Sequence, residues 1–429
     1  MILPVGVTLL VLGAWLFRQS PLRDAVTHDS ATGVRLGISN GMVSIAPFAD
    51  LLDMWALLTV PQHIALLATL LLSLVGLRVV HFVRRGTRPV WWRELLRFVV
   101  AIVAVAVLLV VNLLVPRPMA ALVVDDPDVM AVDVHAHTAS SHDGRPDWTP
   151  QRVRHWHRAS GFHVAYITDH KRFGGAIEAL ATNPARAGDD VVLLSGLELY
   201  SGGQHVNVLS MTAADSVHVV ERDHLTRSIR LADGRVPLIL QTIPFRLPMF
   251  AGPGQDSLAR TTAIEINDGA PKGLTFGLTR HAELLRLADS LNLALVAGSD
   301  NHGWGNTASG WTLVHVPGWR LLTPAALAVQ LEATLATGRA STRVVERRTP
   351  LLLSKAAVAL TAPVMLLTVA RGLSLPERLS WLAWAWSTVL VRLGLRRAAQ
   401  AALVRARRQR AQRRRPLVAP ARPAMGLQS

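Results

Sequence analysis

Apolar residues along this chain follow two patterns. Near both ends they form long, nearly uninterrupted runs, whereas in the middle they form short runs separated by stretches of helical periodicity. Residues 2–17 are apolar and uncharged. Residues 57–77 make a second run with Pro61 near its start, and 98–115 a third, closed by Pro116 and Pro118. A membrane-spanning helix needs about 20 predominantly apolar residues, so each run predicts a span. The first lacks a basic leader and a nearby small-x-small cleavage site, which favours a retained anchor over a cleaved signal. A fourth span is predicted at 351–370, with Lys355 near its start and Pro363 inside. Residues 379–391 are tryptophan-rich but short, which predicts a helix lying in the membrane interface. Residues 18–50 read as a polar loop, and the basic, then Pro/Ala-rich stretch 396–429 as a disordered tail.

The middle region, 120–346, predicts strands at 130–134, 164–168, 191–195, 205–210, 238–241, 262–266 and 293–297, with helical patterns between several of them, such as 149–160 and 278–291. Strands alternating with helices imply α/β architecture built from parallel β/α units. The size suits a compact, TIM-like barrel. The expected organisation is a membrane region over 1–119, the barrel domain over 120–346, a return span with its interfacial segment over 347–395, and the tail.

Charge orients this arrangement. The formal net charge is +16, and Lys171, Lys272 and Lys355 are the only lysines. Arginines crowd into 78–97 and 392–415, both beside apolar runs. Cytoplasmic loops carry such an excess, so the barrel domain is expected on the extracytoplasmic side of a multi-pass cell-membrane protein. Anionic membrane lipids are the expected partners of the basic tail. Because the charge sits in the membrane flanks, no nucleic-acid partner is expected. There is no cysteine, which excludes disulfides and cysteine-ligated zinc.

The candidate chemistry lies at the strand ends. In an extended strand His135 and His137 point the same way, as a metal pair requires. His142 and Asp143 follow on the outgoing loop. His170 and Glu198 come just after two later strands, His205 opens the next, and Asp300 and His302 follow the last. In β/α barrels these ends converge on one face. Each of these residues alone has an ordinary structural explanation, such as a turn or a helix cap; their joint placement is what points to a metal centre. Imidazoles and carboxylates without sulfur suit Zn, Mn or Fe. Lys171, Arg172 and Arg246 lie near the ligand loops, either as phosphate-binding groups or as solvated cations.

The motifs Asp133-Val-His-Ala-His-Thr138, Ile167-Thr-Asp-His170, Gly196-Leu-Glu198 and Gly298-Ser-Asp-Asn-His302 resemble the successive motifs of the PHP (polymerase and histidinol phosphatase) family of metal-dependent phosphoesterases. The resemblance covers about half of the chain. It implies a distorted (β/α)7 barrel holding two or three divalent metal ions. His135, His137, Glu198 and Asp300 would hold one ion. Glu198 would bridge to a second, shared with His205. His170 and His302 would hold a third with either His142 or Asp143, the latter favoured because it precedes Gly144. The residues expected to carry catalysis are His135, His137, Glu198, Asp300 and His302. The implied reaction is hydrolysis of a phosphate ester on a small molecule, lipid or glycan by metal-activated water.

One position departs from the family pattern. Where a further histidine is expected after a middle strand, Ile243 stands, with Gln241 nearby; Ile cannot coordinate. Glu265 and Asn267, after the next strand, are expected mainly to support the site, with Glu265 as a replacement ligand in the alternative. The gap at Ile243 keeps open a non-catalytic metal or ligand sensor. A metal-dependent amidohydrolase is a further alternative, although no lysine falls where such barrels use one.

Overall fold

The computed structural model describes residues 2–201, 204–220, 231–242, 261–347 and 360–413. Two short strands, β1 (Arg23–Asp24) and β2 (Val34–Gly37), precede the two long apolar helices, and β3 (Ala121–Val124) follows them. All seven strands expected in the middle region form: β4 (Val129–Ala136), β5 (Val164–Ile167), β6 (Val192–Ser201), β7 (Gln204–Leu209), β8 (Leu238–Gln241), β9 (Thr261–Asp268) and β10 (Ala294–Gly298). Two more, β11 (Gly310–His315) and β12 (Thr342–Glu346), were not anticipated.

Ten strands share one curled sheet in the order β1-β12-β11-β4-β5-β6-β7-β8-β9-β10. The pairs β4–β5, β5–β6, β8–β9 and β9–β10 are parallel. Strand β7 runs antiparallel to both neighbours, because it returns from β6 as a tight hairpin. The α/β class and curled sheet agree with the expectation, but the regular parallel ring is modified by β7 and by the antiparallel β11 and β12. The curl brings the exits of β10 and β4 together: Asp300 N donates to His135 O at 2.9 Å and His137 N to Asn301 O at 3.2 Å. One face of the sheet packs Ala165, Ile167 and Leu193 against Trp156 of α6 (Pro150–Ser160) and Ala176 of α7 (Gly174–Ala181). The other packs Val132, Val134, Tyr166 and Val296 against Leu327, Leu331 and Leu335 of α11 (Pro324–Leu335). Between them in sequence lie α8 (Ala213–Val220), α9 (Pro271–Thr279) and α10 (His281–Leu291). The single helix expected over 278–291 is thus divided at Arg280, whose φ of −111° and ψ of 9° interrupt it.

The flanks form α1 (Ile2–Leu16), α2 (Asn40–Ser44), α3 (Ala46–Ala56), α4 (Val60–Arg85) and α5 (Trp91–Leu114), then α12 (Thr361–Gly372) and α13 (Leu375–Arg413). Among the described residues, two helices are long and apolar enough to cross a membrane: α4, with 26 residues, and α5, with 24. At 1.5 Å per residue they reach about 39 and 36 Å, against a hydrocarbon core of about 30 Å. They form an antiparallel hairpin in which Arg78 grips Glu94 with two hydrogen bonds of 2.7 and 3.0 Å.

The other flank expectations change. Helix α1 has 15 residues, about 22 Å, and packs against the C-terminal helices through Val11 and Trp381. The fourth expected span lies partly outside the described residues, and its described part belongs to the 12-residue α12. The expected loop over 18–50 instead contains β1, β2, α2 and the start of α3. The Trp-rich stretch 379–391 and the basic stretch after it form one continuous helix to Arg413, so the tail is helical that far. Its Ala, Leu, Gln and Arg residues are strong helix formers, and no proline interrupts them before Pro416.

A buried ion cluster joins α3 and the segment after α5 to the curled-sheet domain. Asp53 of α3 accepts from Arg117 at 2.5 Å, Thr307 at 2.7 Å and Arg347 at 3.0 Å. Burial would raise the Asp53 pKa, but the two guanidiniums outweigh it and hold the carboxyl below its ordinary value. Removing one member of a buried pair costs about 3–5 kcal/mol, because the other charge stays buried. The expected result for Asp53→Asn is therefore a clearly lowered Tm of the full chain in detergent; an unchanged Tm would show that the cluster does not hold the two regions together.

Candidate metal centre

Strand β4 carries Asp133, His135 and His137 to the face where the other strands also end. His135 and His137 are buried, and their rings lie 5.0 Å apart. Glu198, on β6, sits in the middle. Its Oε2 lies 3.2 Å from His135 Nε2, 3.3 Å from His137 Nε2 and 3.2 Å from His170 Nδ1. Its Oε1 lies 2.6 Å from Nδ1 of His205, on β7. The tight β6–β7 hairpin makes that last contact, since it sets residues of adjacent strands side by side.

The exit of β10 supplies the other side. Asp300 Oδ1 is 3.4 Å from His135 Nε2 and 3.3 Å from His137 Nε2. Its backbone takes a left-handed φ of 47°, a conformation that Asp tolerates better than most residues. The His302 ring stacks on His137 with centroids 3.9 Å apart. Asp143 reaches His302 at 3.1 Å and His170 at 3.6 Å. His142 is 69% exposed and meets Asp143 only at 3.8 Å, so of the two adjacent candidates Asp143 is the more deeply engaged.

Supporting residues orient this shell. Glu265 Oε1 meets His135 Nδ1 at 2.9 Å, leaving Nε2 turned towards Glu198 and Asp300, the arrangement typical of carboxylate-supported metal ligands. Asp268 joins His135 and Glu265 in a further buried cluster. Asp133 accepts from the backbone of His135 and Ser299 through one oxygen and meets His157 of α6 at 2.8 Å through the other. Asp169 takes both N–H and hydroxyl of Thr138, at 2.6 and 2.7 Å, fixing the loop after His137. The roles of Asp268, Asp169 and His157 were not anticipated. Asp133 and Asp169 stood inside the recognised motifs, and a carboxylate within or just after an apolar strand was the available signal.

The remaining expectations divide. Lys171 and Arg172 lie on the exposed turn after His170. Arg246 and Ile243 lie outside the described residues. Gln241 and Thr242 both donate to the carbonyl of His205, at 2.8 and 2.9 Å, so Gln241 positions that strand. Asn267 bonds Glu346 and Ser309. Among the described residues, the clusters able to hold a metal are His135-His137-Glu198, His137-His170-His302, His170-Glu198-His205, His142-Asp143-His170 and His135-Glu265-Asp268.

The electrostatics suit a divalent ion. Burial alone would lower the pKa of His135, but Glu265, Glu198 and Asp300 hold it well above its ordinary value. His137 rises to about 9 against the same burial, through Asp300 and Glu198. His170, penalised by burial and by its imidazole neighbours, falls to about 4, and burial lowers His302 as well. Burial opposes the ionisation of Glu198, yet His135, His137 and His205 hold its pKa well below the ordinary value. Without an ion, protons on His135 and His137 therefore balance the carboxylates. Neither nitrogen of the buried His137 makes a hydrogen bond, nor does Nε2 of His302. Buried imidazole nitrogens aimed at carboxylates without hydrogen-bond geometry fit metal ligation.

Solved structures align with part of this chain. PsfC from Pseudomonas syringae aligns over 56% of this chain and 96% of its own, at 17% identity and TM-score 0.31. A two-domain protein from Bacteroides vulgatus, containing a predicted PHP-like metal-dependent phosphoesterase, aligns over 50% of this chain and 64% of its own, at 13% identity and TM-score 0.32. The lesion-specific endonuclease EndoQ from Pyrococcus furiosus aligns over 48% of this chain and 56% of its own, at 12% identity and TM-score 0.33. No family model and no curated protein matches the sequence.

Two outcomes are expected. A metal ligand must lose its proton, so ions entering at pH 7 displace protons from His135 and His137. Apparent affinity should then rise between pH 6 and 9 by about tenfold per pH unit for each coupled proton. Calorimetry in buffers of different ionisation enthalpy reads this release, and a buffer-independent heat would refute it. The second concerns Gly298, where a Cβ would lie 2.3 Å from Glu265 Oε1 and 2.5 Å from His135 Cβ. Gly298→Ala should weaken metal binding by displacing both residues; unchanged affinity would show that they adjust freely.

Proposed function

We propose that this chain is a membrane-anchored, metal-dependent phosphoesterase. The observation that supports it most is Glu198, whose two oxygens are ringed by His135, His137, His170 and His205. A carboxylate so placed suits the bridge of a centre holding two or three divalent ions. Bound there, Zn, Mn or Fe would supply Lewis acidity to a phosphoryl oxygen and acidify a water molecule.

The chain's own residues have separable tasks. His135, His137 and Asp300 hold the inner end of the centre, and Glu265 keeps His135 from turning. Asp143, His170 and His302 form the outer end, next to solvent. Lys171 and Arg172, on the exposed turn after His170, attract and orient a phosphate group. Helices α4 and α5 anchor the domain. Arg84 and Arg85 at the end of α4 and Arg88 in the turn after it favour a cytoplasmic turn by the positive-inside rule, with the hydrolase domain on the other side. Only the placement of charge spoke against a nucleic-acid partner, and nothing in the site's geometry adds to it.

His137→Ala and Glu198→Gln in the full chain, purified in detergent and loaded with Mn or Zn, should lower aryl phosphate hydrolysis by at least about 100-fold, the scale of losing a principal charge-stabilising group. Circular dichroism should show the fold intact. Full activity in His137→Ala would sink the assignment, and a folded, metal-loaded parent without turnover would favour the sensor.

A further inference from the structure

The described hydrogen bonds that tie the curled-sheet domain to the ends of the two long apolar helices lie on the metal-bearing face. The loop carrying His302 runs directly onto the end of α5. Gly305 N donates to Leu113 O at 3.0 Å, and the Asn306 side chain donates to Val115 O at 3.0 Å. Gly305 lies three residues beyond His302, at most about 11 Å of chain. Thr307, on the same loop, enters the Asp53 cluster of α3. The start of α4 meets the same face elsewhere: Val60 N donates to Thr275 Oγ1 of α9 at 3.1 Å. That helix begins just after Asp268, where β9 ends beside the centre.

The start of α4 and the end of α5 form one end of the helical hairpin, opposite its arginine-rich turn. If the hairpin crosses a bilayer, the metal face is therefore turned towards the lipid surface. The far end of the barrel, marked by the 73% exposed Leu321, lies one strand length away, because Val316 bonds Asp128 at the start of β4. Eight residues of β4 amount to about 25 Å. Trp304 stands on the metal loop, 45% exposed, with its indole N–H on the carbonyl of Asp143 at 3.4 Å. Tyr200, near His205, is 53% exposed. Aromatic rings with one polar atom favour the membrane–water interface.

We infer that the substrate is a bilayer-resident phosphoester, its apolar part left in the membrane and its phosphate presented at headgroup level to the centre. The chemistry rests on the phosphoesterase reading; the placement rests on the hydrogen bonds above.

The absence of cysteine makes single labels unique. Trp304→Cys, with Arg172→Cys as a second rim position and Leu321→Cys as the distal control, would carry a bimane in full chain reconstituted into dioleoylphosphatidylcholine bilayers with headgroup-nitroxide lipid. Rim labels should lose at least about half of their fluorescence and the distal label little, given the separation relative to headgroup thickness. The parent, metal-loaded, should hydrolyse bilayer dioleoyl phosphatidic acid or phosphatidylglycerol at least about 100-fold more efficiently than soluble glycerol phosphate, with aryl phosphate as reference. Equal quenching at both ends, or equal efficiency on soluble and bilayer esters, would overturn the inference while aryl phosphate turnover leaves the phosphoesterase reading standing. No turnover of any probe would overturn that reading, and the substrate inference with it.

Discussion

One buried carboxylate, Glu198, holds together what would otherwise be a repulsive cluster. Four imidazoles approach its two oxygens, and two further carboxylates, Glu265 and Asp300, stand just behind. Removing such charges from water is expensive unless each finds an opposite partner. The alternation of cation and anion around Glu198 meets that need, and an entering divalent ion meets it by displacing the protons of His135 and His137. Support extends outward by the same rule. Glu265 fixes His135, Asp133 joins the exits of β4 and β10 to α6, and Asp169 pins the loop after His137.

The fold provides that convergence through curl. Strands β4 and β10 stand at different places in the sheet order, yet their exits share backbone hydrogen bonds because the sheet bends round. The face so formed is also where the two long apolar helices attach. The Asp53 cluster, the end of α5 and the start of α4 all meet it. The candidate centre and the ends of these helices thus share one surface, joined by a few short hydrogen-bonded loops.

The seven strands of the barrel region were legible because apolar runs bounded by turn residues survive any tertiary context. The candidate ligands were legible because histidines and carboxylates recurred just beyond those runs, and all eight of His135, His137, Asp143, His170, Glu198, His205, Asp300 and His302 gather in the structure. Strands β11 and β12 were missed, since Gly310–His315 and Thr342–Glu346 follow segments that mark no unit of their own. The packing of the flanks was not legible for a related reason. Hydropathy alone does not show which apolar helices rest on one another, as α1 does on the C-terminal helices. Nor did the basic composition after Arg392 reveal that its Ala, Leu and Arg residues continue a helix.

The sequence by itself determined the α/β alternation, the candidate ligands and the two long apolar helices, because each depends on local periodicity or residue type. Only the tertiary structure decided that Asp143 rather than His142 is drawn in among the imidazoles, that Glu265 backs His135, and that Gln241 turns to the backbone of His205. Each of these depends on which side chain a neighbouring strand or loop places within about 3 Å, the reach of a hydrogen bond. The attachment of the metal loop to α5 is of the same kind. It joins Gly305 to Leu113 across a separation in sequence that no local pattern records.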